Sequence, residues 1–251
     1  MLLTRRWIIL TVVVLVAVVV MVALGFWQLR RLHSVREDNA KVEARLARPA
    51  EPLQFVLGPG VSPSSVVYRR VSVTGRFDRV SEILLRNRSS LEGEPGSHVL
   101  TPLRMADGRA VIVDRGWIPI DLTAEQEEQT LPPVLQPVTV VGVLFASERK
   151  SVFAPSIPAA GRVTTVPRVD VARIAKQLEY PVVRLYLRLE SQTPPQSGEL
   201  PEPPGPPDLS AGPHLSYAVQ WFLFATVAVA TYAALLRRTI RASVDSSSHR
   251  S

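Results

Sequence analysis

The sequence predicts an α+β membrane protein in which two transmembrane helices flank a small antiparallel β-barrel or sandwich domain with one short helix. Three observations predict it. Residues 7–29 and 215–236 are long apolar runs, the chain between them alternates with a period of two, and a proline-rich block precedes the second run. The 251 residues then divide into a cytoplasmic N-terminus (1–6), a first span (7–29), a helical stalk (30–49), an extracytoplasmic β-domain (50–190), a Pro-rich linker (191–213), a second span (214–236) and a cytoplasmic tail (237–251).

A helix needs about 20 apolar residues to cross about 30 Å of hydrocarbon. Thr11 and Gln28 are the polar residues of the first run, and Ser216, Gln220, Thr226 and Thr231 those of the second. Trp7, Trp27, Tyr217 and Trp221 lie at or near the run ends, as interfacial aromatics do. Arg5 and Arg6 would also suit a signal peptide. The apolar run is longer than a signal's core, however, and no small-x-small cleavage site follows, which favours a retained anchor. No Lys or Arg lies between Leu189 and Leu236, whereas Arg237, Arg238 and Arg241 follow at once. Positive charge marks the cytoplasmic side, so both termini are expected inside and residues 30–213 outside. Arg30, Arg31 and Arg36 oppose this at the first span; the second span's asymmetry is unopposed and decides.

After the first span, Leu29, Leu32, Val35, Val42 and Leu46 keep near-heptad spacing, interrupted by Asn39, with charged residues on the other faces. This fits a solvated stalk with one packing stripe, or a contact for a partner helix. The period then changes to two. Val71, Val73, Gly75 and Phe77 alternate with polar residues; Val111, Val113, Arg115 and Trp117 alternate with Ile112, Asp114 and Gly116; Val183, Leu185, Leu187 and Leu189 form a third set. Half-buried antiparallel strands give this pattern, because one face packs and the other is wet. Further strands are expected near 81–88, 97–105, 138–146 and 162–166. A helix is expected over 170–178, with Asp170 as its cap and Val171, Ile174 and Leu178 on one face. Residues 191–213 hold eight prolines and read as a stiff, extended linker without a core. The Ser-rich stretch 243–251 reads as a disordered tail.

The net charge of +7 comes from 26 Arg against 3 Lys, spread over loops and strands without an aromatic-basic recognition motif. Nucleic acid is therefore not an expected partner, whereas a lipid bilayer is. With no cysteine, a disulfide framework and a thiolate metal site are both excluded. The chain has no nucleophile elbow, phosphate-binding glycine loop or metalloprotease helix, so it is not expected to be an enzyme. His33, His98, His214 and His249 form no i, i+3 or i, i+4 pair. His214 stands out by position. On a helix, His214, Tyr217 and Trp221 fall within about 60° of one another at the start of the second span. Imidazole is a common axial ligand of haem iron and aromatic side chains suit a porphyrin, but an interfacial histidine in an aromatic belt gives the same pattern. Trp27 and Gln28 end the first span at the same depth. Gln28 is either an interfacial polar residue or a hydrogen-bond partner for the second span.

Four segments carry a resemblance. They are Gly25-Phe26-Trp27-Gln28-Leu29-Arg30; Tyr68-Arg69-Arg70-Val71 with Gly75-Arg76-Phe77; Gly96–Leu103 leading to Val113-Asp114-Arg115-Gly116-Trp117-Ile118-Pro119; and His214-Leu215-Ser216-Tyr217-Ala218-Val219-Gln220-Trp221-Phe222. In this order, with both spans in place, the chain resembles the Surfeit locus protein one family. It departs from the family pattern in having Pro213 before the histidine, and the arginine of the first motif falls at Arg31. The resemblance implies a two-span membrane factor that assists assembly of the haem-copper oxidase cytochrome c oxidase. It implies haem a as a transient cofactor, inserted into or retained at the catalytic subunit, which is the expected partner. His214 matches the position proposed to ligate haem iron, and Tyr217, Trp221, Trp27 and Gln28 would line the site. The alternative is a structural or scaffolding subunit of the oxidase complex that binds no cofactor. For Arg115-Gly116-Trp117, strand alternation with a buried Trp already accounts for the residues.

Overall fold

The computed structural model describes the chain apart from residues 1–4, 59, 121, 123–135, 150–154, 197 and 249–251, and apart from the side chains of 242–248. It divides into two compact units, residues 1–41 with 208–251, and residues 42–207.

The second unit is a mixed sheet with short helices. Its strands are β1 (Glu51–Pro52), β2 (Arg70–Phe77), β3 (Ile83–Ser89), β4 (Pro95–Met105), β5 (Ala110–Pro119), β6 (Val138–Ala146), β7 (Thr165–Val166) and β8 (Val182–Thr193). The sheet order is β1-β2-β6-β8-β5-β4-β3-β7, and β2 also pairs with β4 through Gly75, Arg76 and Phe77. The pairings β2–β6–β8–β5–β4 thus return to β2. Every strand of this circuit sends side chains into one core, including Val71 and Val73, Leu103, Val111 and Val113, Val140 and Leu144, and Leu185 and Leu187. The expected strands are all present, but the sheet is not purely antiparallel. β5 and β8 run parallel over Ala110–Asp114, as do the short pairs β1–β2 and β3–β7. A parallel pair needs a long crossover, and the segment holding β6 and β7 supplies it.

The half-wet expectation also fails for β5, which is buried on both faces from Ala110 to Ile118. Its second face packs in another cluster, where Ile112 meets Leu85, Leu100, Val166, Tyr186 and Ile174. Ile174 comes from the short helix α3 (Val171–Ala175), which follows α2 (Leu53–Val56). Asp170 caps α3 by accepting a hydrogen bond from the Arg173 amide at 3.0 Å.

The proline-rich stretch is no free linker where it follows β8, which itself runs on to Thr193. Glu202 pairs with Trp117 by two backbone hydrogen bonds, 2.7 and 2.9 Å long. Leu200 packs against Val99 and Ile118, and Arg188 donates to the Gly205 carbonyl at 2.9 Å. Prolines remove donors, but in Pro201-Glu202-Pro203-Pro204 the one remaining N–H is the one that bonds the sheet.

The first unit holds the two helices long and apolar enough to cross a membrane. α1 (Arg5–Leu46) is unbroken over 42 residues, so the expected span and stalk are one helix. α4 (His214–Ser248) continues well past residue 236 and into the stretch expected to be disordered; residues 249–251 of that stretch lie outside the described residues. The two helices run antiparallel, bringing together Thr11 with Tyr232, Gly25 with Phe222 and Gln28 with His214. The shielded positions include one stripe on α1, at Val14, Val18, Met21, Gly25, Gln28, Leu32, Val35 and Asn39, and one on α4, at His214, Ala218, Trp221, Ala225, Ala228 and Tyr232. The alternating spacing of three and four is that of a coiled-coil seam. Gly25, Ala218, Ala225 and Ala228 are small, which lets the backbones approach where both partners are apolar and burial adds little.

Candidate functional site

The site grows from the end of the seam. Pro213 precedes the first helical residue, His214, and its carbonyl accepts from the Tyr217 amide at 3.1 Å and the Ser216 hydroxyl at 2.8 Å. Proline suits a helix start because its missing N–H would be unpaired there anyway. On α1, Gly25 leaves room for the Phe222 ring: a Cβ at residue 25 would stand 2.7 Å from ring atoms. Phe26 meets the same ring edge-on at 5.4 Å between centroids. This packing sets the height at which residues 28 and 214 meet.

There, His214 Nδ1 lies 2.8 Å from Gln28 Oε1. An amide oxygen only accepts, so Nδ1 carries the proton and a neutral ring keeps its lone pair on Nε2. Nε2 has no hydrogen-bond partner among the described residues. Of the sequence-predicted site residues, the structure therefore joins Gln28 and His214 directly. Trp221 is half-buried and meets Phe224 edge-on at 6.1 Å. Trp27 and Tyr217 remain 51% and 47% exposed. Sequence reasoning passed over Gly25 and Phe222 as a packing pair and the Thr11–Tyr232 hydrogen bond. The spacing of small residues on the two runs was the available signal.

Among the described residues no group of three or more His, Asp or Glu side chains could hold a metal ion. The donor at this site is one imidazole. It does not suit a zinc ion, which takes four ligands; a single imidazole is a donor of the kind that ligates haem iron, whose remaining ligands the porphyrin would supply.

The Arg115-Gly116-Trp117 motif lies in the sheet unit and is structural in its contacts. Asp114 and His98 form a buried pair, 3.0 Å between Nδ1 and either carboxylate oxygen. Trp117 is buried, and Gly116, at φ +124°, lies against the Glu202 carbonyl.

The motif order, the two apolar helices and this sheet accompany a match to the SURF1 family over residues 15–226. The chain belongs to the SURF1 family. The match takes in the helix seam from Val14's neighbour onward, the whole sheet unit and α4 as far as Thr226. A SURF1-like protein of Rickettsia felis is 26% identical over 238 residues, covering 91% of this chain and 97% of that one. A SURF1-like protein of Monosiga brevicollis is 28% identical over 231 residues, covering 88% and 85%. Surfeit locus protein 1 of Mus musculus is 29% identical over 146 residues, covering 53% and 46%. SURF1 proteins are known generally as cytochrome oxidase assembly factors.

Proposed function

We propose that this SURF1 protein is a membrane assembly factor for a haem-copper cytochrome c oxidase and that His214 holds haem a for insertion into, or retention at, the catalytic subunit. The observation that carries the reading is the His214–Gln28 hydrogen bond. Metal-ligating imidazoles characteristically donate their second ring N–H to a fixed acceptor, which sets the ring's orientation and raises its basicity. Bound haem would supply the iron and its equatorial nitrogens. The chain's part is to present Nε2, hold Nδ1 protonated, and offer the exposed faces of Trp27 and Tyr217 and the half-buried Trp221 as apolar contacts. The two helices cross the cell membrane with both termini in the cytoplasm, a reading supported by Arg237, Arg238 and Arg241 after the second span.

The test is the absorption spectrum of the full chain purified from cells that make haem a. The expected result is a Soret band that His214→Ala removes while the protein accumulates normally. Protein that co-purifies with mature oxidase but carries no haem would overturn the haem role and favour the scaffolding subunit. Protease added to right-side-out spheroplasts should digest residues 50–213; full protection would overturn the orientation.

A further inference from the structure

The sheet unit contains an imbalance of buried charge that the reading above does not use. At one end of the strand circuit, Arg115 extends from β5 over the Phe77 ring, 5.0 Å from its centroid, and is only 2% exposed. Its nearest carboxylate is Glu82, with Nη1 at 3.5 Å. Glu82 also accepts from the Thr101 hydroxyl at 2.8 Å and stands 3.8 Å from Arg79 Nε. One carboxylate therefore serves two guanidiniums and a hydroxyl. Nε and Nη1 of Arg115 and Nε of Arg79 are buried without a hydrogen bond. Asp78, the neighbouring acid, is already engaged by the Tyr180 hydroxyl at 2.6 Å.

A cavity of about 450 Å³ opens at this point, lined by Arg79, Glu82, Arg162, Thr164 and Thr165 among others. Arg162 donates to the Val80 carbonyl and has no carboxylate partner among the described residues. The cluster of three guanidiniums and one carboxylate is short of two negative charges. Arg79 and Arg115 are shielded from water and share Glu82, while Arg162 stands at the exposed mouth; an anion entering the cavity would offset the cost of the shielded pair. Arginine forks bind tetrahedral oxyanions through paired N–H groups, and threonine hydroxyls donate to the same oxygens.

We propose that this cavity is a phosphate-binding site, in which Arg79 and Arg162 hold the oxyanion, Thr164 and Thr165 donate to it, and buried Arg115 keeps Glu82 from neutralising Arg79. The phosphate is either free or the headgroup of an anionic phospholipid; the chemistry is shared. The inference rests on neither the haem reading nor the membrane orientation.

The test is calorimetric titration of the full chain in neutral detergent with inorganic phosphate, against chloride at matched ionic strength. Saturable binding is expected, weakened about tenfold or more by Arg162→Ala and by Arg79→Ala, in keeping with loss of a charge-assisted contact. Arg162 is exposed, so its replacement leaves the fold intact by circular dichroism. Arg184→Ala, an exposed arginine on β8, should bind as the parent does. Competition by mixed micelles of a phosphatidylglycerol, but not of the corresponding diacylglycerol, assigns the headgroup as a source; absence of competition assigns free phosphate. Binding of neither probe, or equal binding in all variants, overturns the site.

Discussion

Gln28 Oε1 accepts from His214 Nδ1 across 2.8 Å, although 186 positions separate the two residues in the chain. The contact joins Gln28, within the seam on α1, to the first residue of α4. It also ties the state of the imidazole to a residue of the other helix, so the pair can be tested apart from the histidine itself.

Gln28→Leu keeps a side chain of similar size and removes the acceptor. Haem affinity, followed as the Soret band in a titration of purified protein, should fall about tenfold, at the mild end of the roughly 10–100-fold range for loss of a ligand's supporting partner. Accumulation in the membrane should not change. An unaltered affinity would mean that Gln28 does not orient the ligand.

The seam makes a separate demand at Gly25. A longer side chain there meets the Phe222 ring, whose atoms lie 2.7 Å from where a Cβ would sit. Gly25→Leu should therefore lower the unfolding midpoint of the full chain, with overpacking costing about 1–3 kcal/mol. The double variant Gly25→Leu with Phe222→Ala should recover part of that loss, because the two side chains compete for one space. Strictly additive losses would show that residues 25 and 222 do not share this contact in solution.

Much of this architecture is legible in the sequence where a pattern is local. Alternation at 71–77, 111–117 and 183–189 marks β2, β5 and β8 to within a few residues, and Asp170 caps the helix it was expected to cap. What is not legible is non-local. Alternation places Val111 and Ile112 on opposite faces, but it does not say that both faces are covered, because Leu85, Val166 and Ile174 arrive from distant segments. Nor does it show that β8 lies parallel to β5. Eight prolines hide the backbone pairing of Glu202, since composition reports missing donors and not the one that remains. At the site, His214 was visible by position and Gln28 by depth. Tyr217, Trp221 and Trp27 were expected to line the site; Trp221 is half-buried, whereas Trp27 and Tyr217 keep exposed faces.

Asp78 gives the sheet unit a defined acid sensitivity. Burial alone would raise its pKa, but hydrogen bonds from Tyr180 and Ser81 and the nearby Arg104 outweigh it, so the folded pKa lies below the ordinary carboxylate value. A depressed pKa contributes stability above the unfolded value, near pH 4, that is lost as pH falls through the folded one. Tyr180→Phe removes the hydroxyl but keeps the ring that Arg104 covers at 4.9 Å. It should cost about 1 kcal/mol at pH 7, the scale of a partly exposed hydrogen bond to a charged group. The gap between parent and variant should shrink as the pH falls below about 4. A gap that does not change with pH would assign the loss to packing alone.

The last prediction concerns Gly116 and the strap that crosses β5. At φ +124° a residue with a side chain is strained, and a Cβ here would fall onto the Glu202 carbonyl carbon and oxygen, which are backbone and cannot rotate away. Gly116→Ala must therefore push the strap off the sheet. The two hydrogen bonds between Trp117 and Glu202 are lost or stretched, at about 0.5–1.5 kcal/mol each, and the backbone strain adds about 1–3 kcal/mol. A total loss of about 2–6 kcal/mol is expected in the unfolding free energy of the full chain. Gly93 and Gly108 provide the comparison, since both have positive φ but open space around them. Their alanine variants should lose only the strain, about 1 kcal/mol. Limited proteolysis gives an independent readout: residues 194–207 should become cleavable in Gly116→Ala while the sheet stays protected. If Gly116→Ala costs no more than Gly93→Ala and the strap stays resistant, the close approach of Glu202 to residue 116 is not what holds the strap in place.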